Sequence, residues 1–208
     1  MKNWKLVSFC TADNAYKKIH EDHLLKSVSR LDGTGIEHKP YYIASRGSWL
    51  NNIALKPEVI KMAMAESNQN IFYLDADAEL QRYPVLIDDI PLQADFAFYI
   101  LDHKTWYGVE SDRKEIFNGT LYLRNNNKVR LFINEWIQAC KAMPRLGEHY
   151  HFEQIILKRP DLYKVYELPI EYAYITSLPD GRLPLVKVAD PVVCHYQASR
   201  EWRKKLGK

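Results

Sequence analysis

Cysteine is scarce in this chain: 208 residues carry three, Cys10, Cys140 and Cys194, far apart and with no Cys-x-x-Cys pair. That scarcity excludes a zinc ribbon and a disulfide framework, and it suits a reducing compartment, the cytoplasm. Long apolar runs are missing too. No stretch approaches a signal-peptide core or a membrane span, and Met1-Lys2-Asn3-Trp4-Lys5 leads straight into a short strand-like run. Neither sign of charge dominates: 29 Lys and Arg against 26 Asp and Glu leave +3, too little to argue for a nucleic-acid partner. Repeats, low-complexity tracts and linkers are absent, so residues 1–208 read as one domain, long enough to bury a layered core.

What is present is an ordinary globular fraction of hydrophobic residues, 47%, which excludes disordered and collagen-like classes. Fourteen Tyr beside five Trp suit a polar cleft lined by amphipathic rings, and equally suit packing in sheets. The last stretch, Arg200-Glu201-Trp202-Arg203-Lys204-Lys205, is locally basic: a solvated tail, or a surface facing phosphate.

Strand-like and helix-like segments alternate, which predicts an α/β sandwich. Strands are expected at 6–10, 41–44, 71–74, 95–100, 120–123, 162–168 and 192–194. Helices are expected at 15–31, stopped by Asp32-Gly33-Thr34-Gly35, at 57–66 with Pro57 in the first position, and at 152–158. The clearest helix is 128–142, where Val129, Phe132, Ile133, Trp136, Ile137 and Cys140 follow the helical period. That stripe is scaffold. The proline-bearing stretch 169–191 resists assignment.

The chemistry concentrates at Ile71-Phe72-Tyr73-Leu74-Asp75-Ala76-Asp77, an apolar strand ending in two carboxylates one residue apart. Open α/β sheets bind ligands beyond the carboxyl ends of their strands. Two hard oxygen donors placed there repel each other unless a cation joins them, and Mn²⁺ or Mg²⁺ held by such a pair would neutralise a diphosphate leaving group. The same run has other readings. Asp ends strands because it starts turns well, and an apolar strand followed by Asp-x-Asp also opens phosphohydrolases of the haloacid-dehalogenase kind. That class places the motif after its first strand, whereas a third of this chain precedes Asp75.

The surrounding residues resemble glycosyltransferases of the A-type (GT-A) fold, the small metal-dependent class that carries a DxD motif, and the likeness spans most of the chain. Ser8-Phe9-Cys10-Thr11-Ala12-Asp13 with Tyr16 resembles the first strand and nucleotide-binding loop; Lys56-Pro57-Glu58-Val59-Ile60 resembles the helix start before the DxD strand; Phe117-Asn118-Gly119-Thr120 resembles the strand bordering the sugar pocket. The resemblance implies a single-domain α/β/α sandwich with a mixed, mainly parallel sheet, and a hexosyltransferase-like activity on a nucleotide-sugar donor, UDP-linked by default. It implies that Thr11, Asp13 and Tyr16 face base and ribose, that Lys56 pairs with a phosphate or a neighbouring carboxylate, that Arg46 contacts phosphate or base, and that Asn118 and Gly119 border the sugar. Glu153 would then be nucleophile, ion-pair stabiliser or base, with Gln154 contacting a sugar hydroxyl. His195, after a late strand, would be the third metal ligand beside Asp75 and Asp77, and Arg200, Trp202, Lys204 and Lys205 would close over the diphosphate. His195 and the His151-Phe152-Glu153 run favour retention of anomeric configuration. Two departures stand out: Asn118-Gly119 are adjacent where the family pattern separates them, and His195 opens HYQASREW rather than the fuller lid motif. The acceptor is open among glycan, protein and modified nucleic acid, with Trp106 and Tyr107 in a candidate acceptor loop. A non-catalytic nucleotide-sugar-binding module is the remaining alternative.

Overall fold

Eight consecutive buried residues, Trp4–Thr11, form the first strand, β1, and their alternation sets the layering of the whole fold. Val7 and Phe9 enter one apolar layer while Trp4 and Leu6 enter another, as the two-residue period of a pleated strand requires. The same division recurs on β3 (Asn70–Leu74), where Ile71 and Tyr73 join the first layer and Phe72 and Leu74 the second. In this computed structural model, residues 2–12, 15–178 and 182–197 are described.

β1 pairs in parallel with β2 (His38–Ile43) on one side and with β3 on the other. Beyond β3 lie β6 (Lys114–Leu123), β5 (Phe96–Asp102) and β7 (Val165–Glu167), giving the order β2-β1-β3-β6-β5-β7. Only β6 runs against the rest, antiparallel to both β3 and β5. The mixed, mainly parallel sheet expected from the sequence is therefore present. A three-stranded sheet stands beside it, β4 (Ala78–Leu80), β9 (Val193–His195) and β8 (Tyr174–Ile175) in the order β4-β9-β8.

One face of the large sheet is covered by α3 (Lys56–Glu66), α6 (Asn127–Ala142) and α7 (Glu148–Leu157). All six apolar residues of the α6 stripe are buried there, and Asn126 caps the helix by accepting from the Val129 N–H. The opposite face holds α1, which runs from Ala15–His20 through a π-helical segment, Glu21–Leu25, into Lys26–Ser29. The expected helix at 15–31 thus ends two residues early and is not α-helical throughout. α7 starts four residues before its expected position, because Gly147 (φ +77°, ψ 154°) makes the abrupt turn that launches it. Within 169–191 lie a 3₁₀ turn at Ile170–Tyr172 and the two residues of β8. The three cysteines are buried free thiols, and among the described residues no helix is long and apolar enough to cross a membrane.

Between β1 and α1 the second layer contains one polar cluster. The Ser8 hydroxyl lies 2.8 Å from Nε2 of both His20 and His38. A hydroxyl has one proton, so it donates to one ring and accepts from the other, which fixes complementary tautomers. Burial pushes His20 down to about 4, and burial together with the neighbouring His20 does the same for His38. Both rings are neutral when folded, while in the unfolded chain they take protons near the ordinary value of about 6.5. Stability is therefore complete above about pH 6.5 and falls as pH drops toward 4, where the unfolded chain binds more protons. The urea midpoint should decline between pH 7 and 4.5, and a His20→Gln, His38→Gln variant should show a flatter decline; an unchanged pH profile would rule out these rings as its source.

Candidate active site

Asp75 follows β3 directly, and the turn it begins is held by backbone contacts on two sides. The Asp75 N–H donates to the Gly119 carbonyl at 2.9 Å, the Ala78 N–H donates back to the Asp75 carbonyl at 3.0 Å, and the Tyr196 N–H donates to the Asp77 carbonyl at 3.2 Å. β6 supplies Gly119 from an irregular stretch: the β5–β6 register slips between Ala97, opposite Tyr122, and Tyr99, opposite Phe117. Residues 118–121 of β6 thus bulge away from β5, which accounts for the adjacent Asn118 and Gly119. Gly119 is needed for space. A Cβ there would stand 2.9 Å from the Phe117 ring and 3.0 Å from the His195 ring.

Below the turn lies a buried ammonium. Lys56, at the start of α3, places Nζ 3.0 Å from Asp75 Oδ1, 2.9 Å from Glu148 Oε1 and 3.1 Å from the Asn118 carbonyl. Asn118 Nδ2 donates to Glu148 Oε2 at 2.6 Å, closing the network, and the Tyr73 hydroxyl donates to the same Asp75 Oδ1 at 2.9 Å. Burial works to lower Lys56, but the charges of Asp75 and Glu148 outweigh it and hold the ammonium above its ordinary value. Burial raises Glu148, with Lys56 opposing. The three Lys56 hydrogens therefore have protein acceptors, and of the two expected partners, phosphate or a neighbouring carboxylate, the structure shows the carboxylates.

These groups line a cavity of about 280 Å³ at the carboxyl ends of β1 and β3. β1 and the segment after it contribute Phe9, Cys10, Thr11 and Tyr16 to the lining, α2 (Trp49–Ile53) contributes Trp49, Asn52 and Ile53, and the turn after β3 contributes Asp75, Ala76 and Asp77. Glu115 to Gly119 of β6, Glu148 and His149 of α7, His195 and Gln197 complete it. Thr11 is buried, and its hydroxyl has no hydrogen-bond partner among the described residues. His195 follows Cys194 on β9, is fully buried, and has Nε2 2.8 Å from the Thr120 hydroxyl. Burial pushes it down to about 4, so its ring is neutral.

Of the residues singled out from sequence, Thr11, Tyr16, Lys56, Asp75, Asp77, Asn118, Gly119 and His195 converge on this cavity. Arg46 does not: its guanidinium binds both oxygens of Glu58, at 3.1 and 2.6 Å, and borders a separate small cavity. Glu153 and Gln154 also lie outside the lining, and Glu153 Oε1 accepts from the Ile116 N–H at 3.1 Å. Glu148, five residues earlier and about 140° around the same helix, lines the cavity where Glu153 does not. Asp13, Arg200, Trp202, Lys204 and Lys205 lie outside the described residues. Trp106 is fully buried and donates to the Tyr99 hydroxyl at 2.9 Å, so it caps the core. The expected ligand set of Asp75, Asp77 and His195 is not closed by itself: no three His, Cys, Asp or Glu side chains among the described residues converge as a metal cage. Asp75 Oδ1 and His195 Nε2 are turned to protein partners. Trp49, Asn52, Glu148 and His149 were missed from sequence. Ser48 was the available signal for α2, since its side chain caps that helix by accepting from the Asn51 N–H.

No family model matches the chain, and no curated protein matches it in sequence. Its fold is shared with solved structures. A glycosyltransferase involved in glycosylation of the major capsid of PBCV-1 superposes with a TM-score of 0.69 at 13% identity, covering 98% of each chain. Mouse xyloside xylosyltransferase 1 superposes with a TM-score of 0.55 at 11% identity, over 95% of this chain and 98% of that one. The glycosyltransferase GlyE of Streptococcus pneumoniae TIGR4 gives 0.57 at 14% identity, over 92% of this chain and 55% of that one. At such identities the likeness establishes the mixed α/β fold, and the site residues have to carry the chemistry.

The packing at Gly119 gives a direct check. Gly119→Ala should force the Phe117 and His195 rings apart at a destabilisation of about 1–3 kcal/mol. Calorimetric melting that matches the parent within a degree would refute the steric account.

Proposed function

We propose that the protein is a metal-dependent glycosyltransferase that moves a sugar from a nucleoside-diphosphate donor to an acceptor hydroxyl. One observation carries the reading. The described lining of the cleft holds four carboxylates: Asp75 and Glu148 share the one lining ammonium, Lys56, Glu115 is paired with Arg113 at 3.2 Å, and Asp77 adds a further negative charge. A diphosphate is repelled by such a lining unless a divalent cation accompanies it.

The donor set suits Mn²⁺ or Mg²⁺. Lys56 and Tyr73 occupy Oδ1 of Asp75, which leaves Oδ2 for the cleft. Asp75 and Asp77 would hold the ion together with diphosphate oxygens, the arrangement such cations favour; His195, which does not converge with them and whose Nε2 Thr120 engages, would have to turn to bring Nδ1 to it. When bound, the cation neutralises the diphosphate as it departs. The chain's own groups do the rest. Thr11, whose hydroxyl has no partner among the described residues, and the Tyr16 and Trp49 rings of the lining would receive base and ribose. Asn118, held by Glu148, presents the bulge of β6 to the sugar.

The fold shared with solved glycosyltransferases supports this reading over a phosphohydrolase, and so does the position of the carboxylate turn after the third strand. A uridine nucleotide and retention of configuration rest on the sequence resemblance around Thr11, His195 and His151-Phe152-Glu153; proton NMR of the first product reads the stereochemistry. The acceptor is a hydroxyl of a glycan, protein or modified nucleic acid. Three buried thiols suit work in a reducing cytoplasm.

Asp77→Ala should leave the melting temperature within a few degrees of the parent while abolishing Mn²⁺-dependent binding of nucleotide sugar in calorimetry. Chelator should do the same to the parent protein. Donor binding that survives both treatments would sink the metal-dependent reading.

A further inference from the structure

Glu148 is buried at the first position of α7, and neither of its oxygens is offered to a ligand: Oε1 lies 2.9 Å from Lys56 Nζ, and Oε2 accepts from Asn118 at 2.6 Å. Its main chain is fixed as well. The Trp136 indole donates to the Glu148 carbonyl at 2.8 Å, and Gly147 precedes it at φ +77°, ψ 154°, a conformation that essentially only glycine adopts. With both oxygens bound to protein groups, this carboxylate acts through those groups, and Lys56 is the charged one.

Lys56 stands 3.0 Å from Asp75, the first carboxylate of the turn. An ammonium at that distance orients Asp75 by fixing Oδ1, but it also repels any cation that approaches Oδ2. We infer that Glu148 is a positioning residue for the metal-binding carboxylate: it holds the Lys56 ammonium in place and supplies the counter-charge that lets Asp75 still accept a cation. The inference rests on the donor-site reading above. With Glu148 neutral, Lys56 would have Asp75 as its one anionic partner, would be drawn onto it, and would compete with the cation for it. Asn118 joins the two functions, since it bonds Glu148 by its side chain and Lys56 by its carbonyl. The carboxylate that sequence places near the anomeric carbon, Glu153, has no part in this network.

The test titrates Mn²⁺ by electron paramagnetic resonance in the presence of UDP, with melting temperature and steady-state rates measured alongside. Glu148→Gln should weaken Mn²⁺ binding by about 10–100-fold, the usual effect of removing a residue that orients a metal ligand. Saturating Mn²⁺ should restore most of kcat, because the defect lies in metal affinity and not in folding. The doubly neutral variant Lys56→Met, Glu148→Gln removes the repelling ammonium together with its counter-charge. It should recover Mn²⁺ binding to within about fivefold of the parent, the non-additivity expected of coupled neighbours. It leaves no buried charge of the pair unmatched, so it carries the test by itself if the single variant does not fold. Glu148→Gln binding Mn²⁺ within twofold of the parent would overturn the inference, as would a double variant at least tenfold weaker than the parent. A parent protein that binds no Mn²⁺ with UDP would instead overturn the donor-site reading.

Discussion

A single ammonium buried beneath a sheet edge organises this molecule's candidate site. Burying Lys56 alone would be prohibitive, and its position is tenable only because Asp75, Glu148 and Asn118 surround it within hydrogen-bond reach. Those partners come from the end of β3, the start of α7 and the bulge of β6, so one charge ties together four elements, its own α3 included. Removing one partner of a buried pair of this kind typically destabilises by about 3–5 kcal/mol, because the remaining charge is left unmatched. The arrangement therefore constrains geometry more than it adds stability. It determines which oxygen of Asp75 faces the protein and which faces the cleft.

The cleft itself follows from the sheet. Parallel β1 and β3 deliver their carboxyl ends to the same edge, where backbone ends and loops converge and ligands of open α/β sheets bind. The reversal of β6 matters equally. Running antiparallel beside β3, it brings Asn118, Gly119 and Thr120 back to the Asp75 turn, and β9 then sets His195 against Thr120. The lining combines aromatic rings, Phe9, Tyr16, Trp49, Tyr73 and Phe117, with the carboxylates Asp75, Asp77, Glu115 and Glu148. Such a mixture suits a ligand that is part planar base and part metal-bound diphosphate.

Much of the fold was legible because its signals are local. The α6 stripe repeats on the helical period, Pro57 sits in the first turn of α3, and the apolar run before Asp75 is the buried β3. Where local signals were weak, the expectations drifted. The start of α7 was placed at residue 152 because the residues before it are mostly polar, whereas Gly147 launches the helix at 148. Arg46 was expected at phosphate or base through a resemblance between short motifs, and Glu58 on α3 proved to be its partner. Glu153 drew attention in the same way, yet its carboxylate accepts from the Ile116 N–H, while Glu148 on the same helix lines the cleft with both oxygens bound to protein groups.

By itself, the sequence determined the alternation of strands and helices and the two carboxylates closing an apolar strand, since periodicity and turn chemistry act over a few residues. The tertiary structure alone decided what those carboxylates face. Lys56 meets Asn118 across 62 positions, and Thr120 meets His195 across 75. No local pattern encodes such pairings. They arise when strand order and the reversed β6 bring distant residues together where water is excluded, and there every charge must find a partner.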